Sequence, residues 1–143
     1  MTRATSSATT SPPEALVLDA SAVVEALLGT DLGVRIRERM RGHLLHAPAH
    51  LDAEVLSALG RLHRAGELGE SIVAAALDEL SAAPIRRHPL ASLLSGAWAR
   101  RENQRLVDAL YVELAVSLAS ARLLTTDARL ARSHDRAELI AAG

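Results

Sequence analysis

Short apolar segments alternate with longer amphipathic segments along most of the chain. The short segments are typical of buried strands, and we predict strands at residues 15–18, 44–47, 84–88, 122–125 and 138–141. The longer segments repeat their apolar positions with a helical period, which predicts helices at residues 20–28, 31–41, 51–65, 71–82, 90–100, 105–120 and 127–132. Strands that alternate with helices indicate an α/β domain with a mostly parallel sheet.

Residues 1–13, MTRATSSATTSPP, differ from the rest of the chain because they are rich in Ser, Thr and Pro and poor in apolar side chains. This composition predicts a disordered N-terminal tail ahead of a single domain at residues 14–143. The tail lacks the apolar segment of a secretory signal, and no apolar run approaches the roughly 18–20 residues of a membrane span. Together with the absence of Cys, these features lead us to expect a cytoplasmic protein without disulfides.

The basic side chains are all Arg, since the chain contains no Lys. A P-loop requires a Lys, and the receiver and haloacid-dehalogenase-like phosphatase families usually place one in the site. The absence of Lys therefore argues against these three phosphate-handling classes. Aromatic residues make up only 1% of the chain, which argues against a base-stacking platform for single-stranded nucleic acid.

Two carboxylates, Asp19 and Asp127, each follow a predicted strand and precede a predicted helix. Either one alone is better explained as a helix N-cap that accepts backbone hydrogen bonds. Two such junctions in one parallel sheet also suit a binding site, because ligands bind beyond the carboxyl ends of strands where the strand order reverses. The junctions by themselves leave both interpretations open.

Asp108 lies in the most strongly predicted helix, at residues 105–120. At about 100° per residue, Glu113 falls on the opposite face and is expected to face solvent. Asp108 shares its own face with four residues: Tyr111, Val112, Ala115 and Ala119. A carboxylate on an apolar face needs a cation, hydrogen bonds or a proton. An Arg partner would meet that need, but a metal ion shared with other carboxylates fits the pattern better.

Glu54 lies at the border of the apolar stripe of the helix at residues 51–65, where its head could enter a cleft or, as is usual for a glutamate at such a border, remain in solvent. Asp52, in the first turn of that helix, is interpreted as structural because an acid there is stabilised by the helix dipole. Several carboxylates at one site remain ionised together only when a cation holds them. All-oxygen ligands suit Mg²⁺ or Mn²⁺ rather than Zn²⁺.

The order of these motifs resembles a PIN domain, and most closely the VapC-type toxins of bacterial toxin–antitoxin pairs. Four segments carry the resemblance: VLDASAVVEALL with Asp19 and Ser21, AEVLSALGRL with Glu54, VDALYVELAVSLA with Asp108, and LLTTDARLA with Thr125 and Asp127. No single segment is diagnostic, but four in order over residues 15–141 form a specific signal.

The resemblance implies a three-layer PIN fold with a central sheet flanked by helices, and a Mg²⁺-dependent endoribonuclease, with Mn²⁺ as a possible substitute. It implies that Asp19 and Asp108 are the principal metal ligands, that Glu54 and Asp127 complete the acidic cluster directly or through water, and that Ser21 and Thr125 support the acids. It also implies attack of metal-activated water on RNA, a cognate VapB-like antitoxin and a homodimer. Two alternatives stay open: a stand-alone PIN nuclease in RNA processing, and a catalytically silent PIN-like binding module.

Overall fold

The computed structural model describes residues 14–143. The strands are β1 (Ala15–Leu18), β2 (Leu44–Pro48), β3 (Ile85–His88), β4 (Arg122–Thr125) and β5 (Ala137–Leu139). The helices are α1 (Ala20–Leu28), α2 (Asp31–Met40), α3 (Leu51–Arg64), α4 (Glu70–Ala82), α5 (Leu94–Ala99), α6 (Leu106–Ser117) and α7 (Ala128–Ser133). A short 3₁₀ helix, Ala91–Leu93, precedes α5. The predicted disorder of residues 1–13 lies outside the described residues, and the single domain at 14–143 stays a prediction.

The five strands form one sheet in the order β3-β2-β1-β4-β5, and every neighbouring pair is parallel. The chain moves outward from β1 to β3 and then returns to place β4 on the other side of β1. The strand order therefore reverses between β1 and β4, and a crevice forms beyond their carboxyl ends. This arrangement confirms the predicted α/β fold with a parallel sheet flanked by helices.

The central strands are buried because helices cover the sheet. Helices α1 to α4 pack on one another, whereas α5 packs on α6, which in turn lies against β1, β2 and β4. The core is aliphatic apart from Tyr111, which is 1% exposed. Its other fully buried large side chains come mostly from β1, α3, α6 and β4: Leu16, Leu18, Leu51, Leu59, Leu114, Leu123 and Leu124.

Three local predictions need correction. The predicted helix at residues 90–100 is a 3₁₀ turn followed by the short α5, and α6 ends at Ser117 rather than at Ser120. Ser120 has a φ of 59°, a left-handed conformation that a helix cannot contain. Ala119, predicted to lie on the apolar face of α6, is therefore beyond the helix and exposed.

The expectation that Glu113 faces solvent is also wrong. Its side chain is only 23% exposed, and it accepts a hydrogen bond from Arg100 Nε at 3.0 Å. The packing of α5 on α6 creates this environment, because a Cβ atom at Gly96 would lie 2.1 Å from Glu113 Cδ. Glycine thus leaves the space that the Glu113 carboxylate occupies.

Among the described residues, no helix combines the length and apolarity that crossing a bilayer would require.

Candidate active site

Asp19 is a buried carboxyl group at the carboxyl end of β1. It is the N-cap of α1, and its Oδ1 atom accepts hydrogen bonds from Ser21 Oγ at 2.7 Å and from the Ala22 amide at 2.9 Å. Burial raises the pKa of Asp19 to about 6, although polar contacts with Thr125, Ala22 and Ser21 partly offset this effect and Asp108 adds to it. The capping role that the sequence allowed is therefore present, in a position that disfavours the charged form.

Ser21 and Thr125 connect the two strand–helix junctions. The Ser21 hydroxyl lies 3.5 Å from the Thr125 hydroxyl and accepts a hydrogen bond from the Thr126 amide at 3.1 Å. The Asp127 amide donates to Thr125 Oγ1 at 3.0 Å. These hydroxyls connect the junction after β1 with the junction after β4. Thr125, which carries one of them, is completely buried.

Asp127 is the N-cap of α7. Its Oδ1 atom accepts hydrogen bonds from the Arg129 amide at 2.9 Å and from the Leu130 amide at 3.3 Å. The structure thus satisfies the capping interpretation for both Asp19 and Asp127. A carboxylate that caps a helix through one oxygen can still present its other oxygen to a ligand, so capping does not exclude a role in the site.

Glu54 lies in the first turn of α3 and points toward α6. Its Oε1 atom accepts a hydrogen bond from the Tyr111 hydroxyl at 2.6 Å and lies 3.2 Å from His50 Nε2. Burial opposes the charged form, but the hydrogen bonds of His50 and Tyr111 and the charges of His50 and Arg105 lower the pKa of Glu54 overall. Burial, together with the hydrogen bond to Glu54, raises the pKa of Tyr111. Glu54 is thus held as a carboxylate.

Asp108 lies in the first turn of α6 and forms an ion pair with Arg105. Arg105 Nε donates to Asp108 Oδ2 at 2.9 Å, and Arg105 Nη2 donates to Oδ1 at 3.5 Å. The Asp108 side chain is 17% exposed, so it sits at a partly buried position on α6 as the sequence predicted. Of the two partners that the sequence left open for Asp108, the structure provides the arginine.

Asp19 and Asp127 follow β1 and β4, whereas Glu54 and Asp108 lie in the first turns of α3 and α6. Burial is the main cause of the raised pKa of Asp19, and the charge of Asp108 adds to it. The hydrogen bond to Asp108 is the main cause of the raised pKa of Arg105, and the charges of Asp108, Asp127 and Glu54 add to it. A cleft of about 270 Å³ opens beside Glu54, and its lining includes Ser21, Glu54, Arg61 and Thr126. Asp108 therefore acts electrostatically on Asp19, and Asp108, Asp127 and Glu54 all act on Arg105.

The donor chemistry of this region suits a hard divalent cation, because the acids offer only oxygen atoms. The side chains of residues 14–143 are not, however, arranged as a complete metal site. Within residues 14–143, no group of three or more His, Asp or Glu side chains is close enough to hold one metal ion together. Arg105 contacts both oxygens of Asp108, so a metal ion at Asp108 would have to share the carboxylate with this guanidinium or displace it.

Sequence reasoning missed three polar residues of the region: Arg105, Tyr111 and His50. Tyr111 was placed on the apolar face of its helix, which is correct, but its hydroxyl was not assigned a partner. The spacing of His50 and Glu54, four residues apart on α3, was a usable signal. The same holds for Arg105 and Asp108, which are three residues apart at the start of α6.

Asp52 has the structural role expected for it. Arg87 of β3 donates to Asp52 Oδ1 at 3.0 Å through Nη2 and to Oδ2 at 3.3 Å through Nε. Arg87 also donates to the carbonyl oxygen of Leu80 at 2.7 Å. The pair connects α3 with β3 and the end of α4.

Comparisons with known proteins agree with this architecture. A family model described as the PIN domain matches residues 16–134. Ribonuclease VapC3 of Mycobacterium tuberculosis is 57% identical over 132 residues, which cover 92% of this chain and 96% of the relative. Ribonuclease VapC12 of the same organism is 37% identical over 119 residues, covering 83% of this chain and 92% of the relative.

A solved structure gives the same result for the fold. The crystal structure of PAE2754 from Pyrobaculum aerophilum superposes with a TM-score of 0.63 at 26% identity. The match covers 88% of this chain and 83% of that chain.

Proposed function

This chain belongs to the PIN-domain family, and from that premise we propose that it is the toxin of a toxin–antitoxin pair, an endoribonuclease that hydrolyses RNA phosphodiester bonds. The relatives that cover most of the chain are named as VapC ribonucleases. Nucleases with a PIN domain generally depend on a divalent metal ion. The observation that supports the proposal is that Asp19 and Asp127 cap the helices that follow β1 and β4, where the strand order reverses, and that Ser21 and Thr125 join the two junctions.

In this proposal the four acids have two different roles in binding the metal. Asp19 and Asp108 are the principal metal ligands, whereas Glu54 and Asp127 contribute directly or through water. Mg²⁺ is the expected ion and Mn²⁺ a possible substitute, because both prefer carboxylate oxygens. When bound, such an ion would orient the phosphodiester, activate the attacking water and stabilise the leaving oxygen.

The surrounding residues hold the acids in place. Ser21 fixes the orientation of the Asp19 carboxylate, and Tyr111 with His50 fixes that of Glu54. Hydrogen-bonded partners of this kind orient a ligand before the metal or substrate arrives. We therefore assign Ser21, Thr125, Tyr111 and His50 as positioning residues of the site.

Arginines at the edge of the site provide contacts for the RNA backbone. Arg61 lines the cleft beside Glu54, and Arg105 and Arg129 lie close to Asp108. A guanidinium group matches the geometry of a phosphate oxygen pair and stays charged at all physiological pH values. Because the net charge of the chain is −1, attraction of RNA must depend on such local groups rather than on the whole molecule.

The test is expression of the full chain in a bacterial host without an antitoxin, followed by sequencing of RNA ends. We expect growth arrest and discrete new RNA ends with the wild type, and neither with Asp19→Asn or Asp108→Asn. Asp52→Asn is the matched control, because it removes a carboxylate that pairs with Arg87 instead of lying in the site. Equal growth of cells that express the wild type and cells that express Asp108→Asn would contradict the proposed toxin activity. RNA cleavage without toxicity would instead favour a stand-alone nuclease.

The proposal includes a cognate VapB-like antitoxin, a homodimer and action in the cytoplasm. A short reading frame next to this gene that encodes a DNA-binding protein would be the candidate partner. Co-expression of both chains should restore growth and yield a stable complex in size-exclusion chromatography. Failure of every adjacent product to restore growth would argue against the pairing while leaving the nuclease intact.

A further inference from the structure

Arg105 is a cation placed among the acids by the chain itself. It immediately precedes α6, and its guanidinium reaches forward by three residues to contact both oxygens of Asp108, at 2.9 Å and 3.5 Å. Arg105 and Asp108 also line the same small pocket, together with Arg129 of α7. In this state the positive charge beside Asp108 comes from a side chain.

The Arg105–Asp108 contact is formed in the structure, and the exposure of Arg105 allows it to open. The Arg105 side chain is 63% exposed, whereas that of Asp108 is 17% exposed. Leaving Asp108 would return the guanidinium to water, and exposed ion pairs contribute little net stability. Asp108 would meanwhile keep its place on the buried helix α6, ready for another cation.

We propose that Arg105 is an internal counter-cation that holds Asp108 until a divalent metal ion displaces it. The inference rests on the proposed function, because it takes Asp108 to be a metal ligand. Arg105 and the metal ion would both use the Asp108 carboxylate. Arg105 is therefore a competitor of the metal rather than a support of the metal site.

Competition has a measurable consequence. In this proposal, binding of the metal includes the opening of the Arg105–Asp108 contact, so the observed metal affinity is lower than the affinity of the free acids. Removal of the guanidinium also removes a positive charge near the incoming cation. Loss of Arg105 should consequently tighten metal binding, whereas loss of an ordinary supporting residue weakens it.

The experiment is a calorimetric titration of the full-length chain with Mn²⁺ in the absence of RNA. We expect Arg105→Gln to bind Mn²⁺ about tenfold more tightly than the wild type, and Arg105→Lys to lie between them, because an ammonium group cannot form the two-pronged contact. Arg101→Gln is the matched control: it removes an arginine of the same loop that pairs with Glu102 instead. Unchanged or weaker binding by Arg105→Gln would overturn the inference.

Asp108→Asn separates this inference from the proposed function. If Asp108→Asn leaves Mn²⁺ binding unchanged, the metal site itself is wrong. If Asp108→Asn weakens binding while Arg105→Gln does not strengthen it, only the role of Arg105 fails. The double variant completes the cycle: once Asp108 is neutral, removal of Arg105 should no longer tighten binding.

Discussion

Asp19 illustrates a conflict between stability and function at the scale of one residue. Its carboxyl group is 4% exposed, and burial of a carboxylate without a counter-charge is unfavourable. The group is held by hydrogen bonds from Ser21 and from the Ala22 amide, which an amide oxygen could accept equally well. Folding alone would therefore be satisfied by an uncharged side chain at position 19, whereas the proposed metal site requires an acid there.

We predict that Asp19→Asn abolishes RNA cleavage and yet stabilises the metal-free protein. Cleavage should fall by more than about 100-fold, because loss of even an indirect supporting group of a metal site costs roughly 10–100-fold. The melting temperature at pH 8 should rise by roughly 3–5 °C, because a buried charge is removed while both hydrogen bonds can remain. Calorimetry with and without Mn²⁺ checks this, and a lower melting temperature in metal-free buffer would contradict it.

Tyr111 connects the core to the site through one hydroxyl group. Its ring is buried, but its hydroxyl donates to Glu54 at 2.6 Å. We predict that Tyr111→Phe lowers stability by about 1 kcal/mol, the usual contribution of such a bond. It should also reduce cleavage by about tenfold, since Glu54 loses a positioning partner. Full activity with reduced stability would assign Tyr111 a purely structural role.

At the scale of elements, a close approach of α1 and α2 depends on Gly33. A Cβ atom at Gly33 would lie 2.0 Å from the backbone oxygen of Glu25, so no side-chain movement could relieve the overlap. Gly60 in α3 is different, because the nearest atom to a Cβ at that position would be the flexible end of Arg64, at 3.5 Å. The same residue type is therefore essential in one helix and replaceable in another.

Alanine substitutions test this difference. Gly33→Ala should destabilise the protein by about 3 kcal/mol, because the helices must move apart. Gly60→Ala is the control and should be neutral or stabilising by up to about 1 kcal/mol, because alanine favours the helix. Urea denaturation of both variants provides the measurement. Equal stabilities for the two would show that α1 and α2 can separate at little energetic cost.

At the scale of the whole molecule, Glu138 joins elements from opposite ends of the chain. This β5 carboxylate accepts hydrogen bonds from Arg39 of α2 at 2.8 Å and 3.2 Å, and Arg122 of β4 lies 3.3 Å away. The hydrogen bonds from Arg39 lower the pKa of Glu138 although burial opposes them, and the charge of Arg122 contributes. Glu138 thereby connects the edge strand β5 with helix α2.

The lowered pKa gives a pH dependence of known sign. The stabilising contribution of Glu138 is fully present above its ordinary pKa of 4.5 and is lost as the pH falls through the lower value in the folded state. Glu138→Gln should therefore cost about 1 kcal/mol at pH 7, and the difference from wild type should vanish toward pH 3. Glu79→Gln is the control, because the Glu79–Arg37 pair is half exposed. A pH-independent difference for Glu138→Gln would refute this account.

The sequence alone determined which elements form and which chemistry they carry. The period of apolar positions depends on neighbours within a few residues, and it identified the strands, most helix bounds and the junction positions of Asp19 and Asp127. It also set Asp108 apart from ordinary surface acids, whereas it did not distinguish Glu54 from a solvated glutamate at the border of an apolar stripe. The bounds were least accurate around residues 90–100 and 117–120, where a 3₁₀ turn and the left-handed Ser120 interrupt the pattern.

Only the tertiary structure decided which of these residues meet. Pairing of β1 with β4 depends on contacts between segments that lie about a hundred residues apart, and no local pattern encodes that order. The same holds for the Tyr111–Glu54 bond and for the pocket that Gly96 leaves for Glu113. A periodicity assigns a side chain to a face, but its partner depends on the element that packs there.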